Sequence, residues 1–386
     1  LVCSHSTHAQ HNKTRTVCDS ACDGTLFLSH EWSAGAIRCG YQSSLGARLT
    51  MYKQHTVGVV VPAYNEEGLV GDVLETMPAI VDRVYVFDDC SSDGTWAEIQ
   101  RARARLNASR SSHTDDGREE FVIAERHEEN QGRGRCVKEG YRRALADGLD
   151  VVAVVDGDGQ MDPDELHRIL DPVVDGRADY AKGTRLKNRG DTNGMSRWRL
   201  FGNVVLSFLT NLSSGYWGLV DSQNGYTAIS RQVLCELPIE KLYDRYGFLN
   251  DILTELNVHG FTIAEVPHPA VYGDEESNIR YTTFVPFVSL LLLWNFLYRI
   301  QKRYLVRNFH PVVLCYTVGI TGLMLGAVGG IIGLLTQTPA VSPVTVPAAG
   351  GFGILLFLLA IVLDIQQNSR LTYQSEPHPE PNRQRQ

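Results

Sequence analysis

From residue 56 onward, short apolar runs alternate with stretches of helical period. The run TVGVVVP (56–62) predicts a strand buried on both faces, and EEGLVGDVLETMPAIV (66–81) a helix. RVYVFDD (83–89) predicts the next strand and DGTWAEIQRARARL (93–106) the next helix, followed by a polar loop at 107–120. FVIAERH (121–127), GRCVKEGYRRALADG (134–148) and DVVAVVD (150–156) then read as strand, helix and strand. This alternation predicts βαβ units, hence an α/β fold with a mostly parallel, Rossmann-like sheet covered by helices. In such sheets ligands bind beyond the carboxyl ends of the strands. The polar residues that follow each apolar run are therefore the ones to inspect. Three such places stand in register: PAYNEE after the first strand, DDCSSDGT after the second and DGDGQ after the fourth.

The last third of the chain follows a different pattern. Residues 284–309 pair an apolar block with Arg299, Lys302, Arg303 and Arg307 among aromatics, which predicts an amphipathic helix (283–309) lying in a membrane interface. Residues 311–335 are 25 uncharged residues. At ~1.5 Å per residue they cross a ~30 Å hydrocarbon core, and 344–363 supply a second crossing. Two transmembrane helices are thus expected within 310–365, with Gly322, Gly326 and Gly330 forming a line of close packing. Basic residues flank the pair and the joining loop carries none, so the catalytic domain and C-terminus are expected on the cytoplasmic side. The polar residues 366–386 are expected to be a disordered tail.

Composition narrows the classes. A net charge of −8 argues against a nucleic-acid partner, which calls for a basic face. Four of the eight cysteines lie in the first 39 residues, mixed with histidines, but without a CxxC pair a zinc or disulfide module has little support. Residues 1–50 are expected to be an unassigned leader, disordered or upstream of a start at Met51.

The stretch VVAVVDGDGQMDPDEL (151–166) ends a buried strand in two aspartates one residue apart. Like charges this close repel, and each is costly to keep ionised near a dry interior, so a cation is expected between them. An EF-hand loop counted from Asp156 would need Gly and Glu where Met161 and His167 stand. A P-loop is absent, and GRGRCV (132–137) lacks the third glycine of a dinucleotide fingerprint. The remaining reading is Mg²⁺ or Mn²⁺ shared between carboxylates and a ligand's phosphates. Gly157 and Gly159 allow close backbone approach, and Gln160 offers an amide oxygen.

The ordered set VVVPAYNEE, DDCSSDGT, HEENQGRG, DGDGQ, KGTR and DSQNGYTAIS resembles the inverting family 2 glycosyltransferases with a GT-A fold. Within them it is most similar to the dolichyl-phosphate mannose or glucose synthases, and the resemblance covers roughly 56–282 within an expected domain at 54–282. It implies that Pro62, Ala63, Tyr64 and Glu66 cradle the nucleoside of a UDP- or GDP-sugar, with Asp89 near the base and ribose. Asp156, Asp158 and Gln160 would hold the metal and, through it, the diphosphate. Arg185, with Arg197 or Arg199, would meet the phosphate of a polyprenyl phosphate acceptor, while Asp221, Gln223 and Asn224 would line the sugar pocket. The family often has Ser-Lys where this chain reads Ser277-Asn278, so a phosphate contact there would fall to Arg280.

The acceptor decides what activation is needed. A lipid phosphate is already ionised at pH 7 and needs placement beside a cation rather than a strong base. A sugar hydroxyl would need a carboxylate within hydrogen-bond reach. Asp251, where hydroxyl-using relatives carry their base, fills that role or caps the helix that follows it. The membrane segment and the arginines after KGT favour the lipid phosphate. The apolar stretch 199–219 either guides an isoprenoid chain or is an ordinary core helix.

Overall fold

The computed structural model describes residues 51–111, 120–185, 197–245, 247–269, 281–307, 309–336 and 344–374. The apolar runs form the strands β1 (Val57–Ala63), β2 (Arg83–Asp88), β3 (Val122–Arg126) and β4 (Val151–Val154). Between them lie the helices α1 (Val70–Glu75), α2 (Thr95–Ser111) and α3 (Arg133–Ala146). The chain continues through α4 (Leu166–Val174), β5 (Tyr180–Thr184), α5 (Arg197–Ser214), β6 (Thr227–Ser230), α6 (Arg231–Glu236), α7 (Phe248–His259) and β7 (Ile263–Pro267). It ends with α8 (Tyr281–Arg299), a π-helical run (Ile300–Arg307), α9 (Val312–Thr336), α10 (Thr345–Asn368) and β8 (Thr372–Gln374).

The strands form one sheet in the order β3-β2-β1-β4-β6-β5-β7-β8, parallel except where β6 runs against β4 and β5. The expected mostly parallel sheet is what forms. Strand β1 sits in its middle and is buried on both faces. Val57, Val59 and Val61 pack with Val70 and Leu74 of α1, Ile99 of α2 and Ile169 of α4. Val60 packs on the other side with Val137 and Tyr141 of α3 and Ile252 and Leu256 of α7. Alternate residues of a strand point to opposite faces, so an unbroken apolar run marks a strand covered twice.

The helix expected over 66–81 is much shorter. Residues 65–68 are captured by their neighbours: Glu66 N–H donates to Thr95 Oγ1 (2.8 Å) and Gly68 N–H to Glu98 Oε2 (2.7 Å). Gly68 takes a φ of +85°, and Pro78 closes the other end.

Two helices, Val312–Leu335 and Thr345–Leu371, are long and apolar enough to cross a membrane, and their side chains are largely uncovered by protein. Apolar surface of this extent is of the kind that marks contact with lipid or with another protein. The glycine line between them differs from expectation. A Cβ on Gly322 would come within 2.9 Å of Gly353 Cα, and one on Gly326 within 2.7 Å of Gly350 Cα. Gly330 instead faces open space, because a helix turns 3.6 residues per turn and a strict four-residue repeat drifts off the contact; Gly329 takes that place against Val346.

Beside the hairpin, α8 packs Val288, Leu292 and Phe296 inward and leaves Leu290, Leu293, Trp294 and Leu297 exposed. Arg299, expected at the lipid surface, is turned wholly inward. Its guanidinium makes a two-pronged contact with Asp364 of α10, both at 2.9 Å, and donates to the carbonyls of Ser213 and Leu212. Beyond α10, part of the stretch expected to be a tail instead forms β8, whose Thr372–Gln374 pairs parallel to Ile263–Glu265 of β7. Threonine and tyrosine suit a strand, and the edge of β7 offers unpaired backbone groups. The two ends of the hairpin therefore lie on the same side as the sheet.

Candidate active site

The exits of β1, β2 and β4 are laced together by their backbones. Asp89 N–H donates to Ala63 O (2.9 Å) and Gly157 N–H to Pro62 O (3.0 Å). Asn65 N–H donates to Ser91 Oγ, while Ser92 N–H returns a bond to Asn65 Oδ1. These contacts bring Pro62, Ala63, Asp89 and Asp156 to one edge of the sheet; Glu66 is anchored there through its backbone, and Tyr64 remains exposed.

Asp89 is 3% exposed, and both carboxylate oxygens are engaged. They accept from Gln131 N–H (2.9 Å), Gly132 N–H (2.7 Å) and His127 Nδ1 (2.7 Å). Burial raises the Asp89 pKa, but the bonds from His127, Gln131 and Gly132 outweigh it and hold the carboxyl below its usual range. His127 also donates from Nε2 to Glu139 (3.1 Å), and its pKa is raised, chiefly by the Asp89 bond. Asp89, His127 and Cys136 cluster closely enough to hold a metal ion. Both nitrogens of the imidazole are already held by carboxylates, and the cluster as it stands fixes the turn at 130–132. Gly132 has a φ of +99°, a conformation that favours glycine, and it sets the start of α3.

The first residue of that helix is the cation next to the aspartate pair. Arg133 Nε donates to Asp156 Oδ1 (2.7 Å), and Arg133 Nη2 donates to Gly225 O (3.1 Å). Asp158 Oδ1 accepts from Gln160 N–H (3.0 Å). A Cβ on Gly225 would approach Asp156 Oδ2 to 2.7 Å and Arg133 Nη2 to 2.4 Å, so the absence of a side chain there keeps the carboxylate accessible. Two adjacent hard carboxylates, one partly exposed at 21%, are a donor set that fits Mg²⁺ or Mn²⁺.

A second cluster adjoins the first through residues 224–225. Asp221 Oδ2 accepts from Arg185 N–H (3.2 Å) and faces Arg185 Nε at 3.6 Å. Asn224 donates to Asp221 Oδ2 and to His268 Nε2 (2.8 Å), while His268 Nδ1–H donates to Pro269 O. Burial lowers the His268 pKa, in keeping with this neutral tautomer. Gln223 Nε2 reaches Asn250 Oδ1 (3.1 Å). Lys182, the first residue of the KGTR motif, is fully buried and donates to Asn224 O. Burial pushes its pKa down to about 7, Asp221 pulling it up and Arg133 pushing it further down.

Asp251 lies on the first turn of α7. Its Oδ2 accepts from Tyr243 N–H (2.9 Å) and its Oδ1 from Asn295 of α8 (2.7 Å). Burial raises its pKa, partly offset by these two bonds. It ties the 243–245 loop to α8. That loop in turn packs on α3: Arg135 N–H donates to Asp244 O, and Lys138 to Leu242 O and Asp244 Oδ1. Arg197 and Arg199 fall on the first turn of α5, where the backbone alone is described; Ser277 and Arg280 lie outside the described residues.

Arg133, Lys182 and His268 were not singled out from the sequence. The first two sit inside motifs that were, GRGRCV and KGTR. His268 follows a strand end, the position where polar residues deserve inspection.

Its relatives place this chain among the glycosyltransferases. The description "Glycosyl transferase family 2" matches residues 58–237. The chain is 30% identical over 240 residues to the UDP-N-acetylglucosamine–dolichyl-phosphate N-acetylglucosaminyltransferase of Methanococcus voltae, covering 61% of this chain and 94% of that protein. It is 31% identical to the polyprenol monophosphomannose synthase of Mycolicibacterium smegmatis, covering 54% and 75%. A solved glucosyl-3-phosphoglycerate synthase of Mycobacterium tuberculosis, in complex with Mn²⁺, UDP and phosphoglyceric acid, aligns with a TM-score of 0.45 and 19% identity over 64% of this chain and 78% of its own. The chain belongs to glycosyltransferase family 2.

Proposed function

We propose that this chain is an inverting transferase that moves a hexose-type sugar from a UDP- or GDP-linked donor to a polyprenyl (dolichyl) phosphate at the cytoplasmic face of a membrane. The observation that carries this reading is physical continuity: the sheet that holds Asp156 at its edge also holds β8, the strand that follows the apolar hairpin. A water-soluble donor and a lipid-borne acceptor are what such a body is built to bring together. Relatives named for dolichyl and polyprenol phosphates support the same acceptor. They carry different sugars, so the donor is kept to its class.

Pro62, Ala63, Tyr64 and Glu66 would cradle the nucleoside, with Asp89 beside them. Asp156, Asp158 and Gln160 would hold Mg²⁺ or Mn²⁺, which when bound stabilises the negative charge that builds on the departing diphosphate. Asp221, Gln223 and Asn224 would orient the sugar, and Arg185, Arg197 and Arg199 would receive the acceptor phosphate, whose oxygen is already an anion and needs only alignment. Ser277 and Arg280 are further candidates for phosphate contact. Transfer to a sugar hydroxyl would call for a carboxylate free to take a proton, and both Asp251 oxygens are engaged by Tyr243 and Asn295, which favours the lipid phosphate.

Membranes carrying the protein, supplied with radiolabelled UDP- and GDP-sugars, should transfer label to an organic-extractable product released by mild acid. Chelator should abolish the transfer. Label recovered only in glycan or water-soluble product would overturn the acceptor assignment.

A further inference from the structure

The aspartate pair already has a cation in reach, and it belongs to the chain itself. Arg133 Nε lies 2.7 Å from Asp156 Oδ1, and its Nη2 is held by Gly225 O at 3.1 Å. The segment has been shaped to admit this contact, because any side chain at residue 225 would collide with both groups. Its backbone is equally fixed. Gly132 N–H is bound to Asp89, and a Cβ on Gly134 would come within 2.6 Å of Tyr243 O, so α3 starts in one place and aims Arg133 at Asp156. The pair is not sealed: the two side chains are 29% and 21% exposed, at the open edge of the sheet.

Resting on the metal reading proposed above, we infer that Arg133 is a built-in counter-ion which occupies Asp156 until a nucleoside diphosphate arrives. A guanidinium and a divalent ion at the same carboxylate repel each other, so the ion binds fully only when Arg133 gives way. A diphosphate supplies the anionic oxygens to which a guanidinium transfers readily. Metal and nucleotide therefore bind cooperatively, and each raises the affinity for the other by the same factor. The bare aspartate pair is spared both self-repulsion and idle occupation by free cations. Arg133 acts here through Asp156, as a competitor of the ion.

The test is Mn²⁺ binding followed by electron paramagnetic resonance on the full-length protein in nanodiscs, with Mn²⁺ alone and with saturating UDP or GDP. Arg133→Gln is expected to bind Mn²⁺ alone about tenfold more tightly than the wild type, the scale on which a neighbouring cation biases a carboxylate. The gain from adding nucleotide should shrink correspondingly. Arg133→Met serves as the second variant if the first folds poorly. Arg135→Gln removes a cation two residues away that contacts Glu139 rather than Asp156, and should stay within about twofold of the wild type if contact, rather than net charge, is responsible. Unchanged or weaker Mn²⁺ binding in the Arg133 variants, or an equal gain in Arg135→Gln, overturns the inference while leaving the metal reading intact. Failure of the wild type to bind Mn²⁺ under either condition removes both.

Discussion

Two arginine–aspartate pairs in this molecule invite comparison. Arg299 and Asp364 are both wholly buried and meet through two hydrogen bonds of 2.9 Å. Around Asp364 gather Trp217, Tyr304 and Asn368, and around Arg299 the carbonyls of Ser213 and Leu212. One positive charge meets one negative charge, and water is shut out. Arg133 and Asp156 meet through a single 2.7 Å contact at the open edge of the sheet, with Asp158 two residues on. The first pair is closed and matched, as a pair that fastens α8 to α10 must be. The second is open, its side chains 29% and 21% exposed, as the partner exchange inferred above requires. Closure thus separates the two pairs where the chemical groups are the same.

The sharpest way to break the comparison is Asp156→Asn. It should lower turnover at least ~10²–10³-fold by weakening the grip on the ion, while thermal unfolding moves little. A large fall in melting temperature would mean that the open pair is structural too. Arg299→Ala should do the reverse. Leaving Asp364 buried without its partner costs about 3–5 kcal/mol, read as lost folded yield and lower unfolding temperature in nanodiscs, and the double change Arg299→Met with Asp364→Leu should recover most of it. A stable single variant would show that α10 is held elsewhere.

The smallest effect sharpens the picture through pH. Lys182 keeps its proton up to about pH 7 when folded, against 10.5 as its ordinary value. Between those values the unfolded chain binds more protons, so this group makes stability rise with pH. The wild type should therefore gain stability over Lys182→Met as pH goes from 7 to 9. A flat difference would place the amine in a wetter environment than the structure gives it.

Much of the sheet could be read from the sequence because β1, β2 and β4 are covered on both faces and leave unbroken apolar runs. The acidic strand ends were legible for the same reason, since topology alone brings them to one edge. What escaped depends on partners remote in sequence. Nothing near Arg133 announces Gly225, 92 residues on, and nothing near Lys182 announces Asn224. Arg299 sits among exposed apolar residues and reads as one of a membrane-interface set until Asp364, 65 residues later, turns it inward. The helix at 66–81 shortened for a related reason, because Thr95 and Glu98 claim the amides its first turn would have used.

The strand β8 lies beyond both candidate crossings, yet it pairs with the sheet that carries the candidate active site. In the order of synthesis it follows α9 and α10. A chain that stalls before residue 372 would leave that edge of β7 open. The last ladder of the described sheet is thus supplied from beyond both long apolar helices, which ties the sheet to the hairpin through the chain itself.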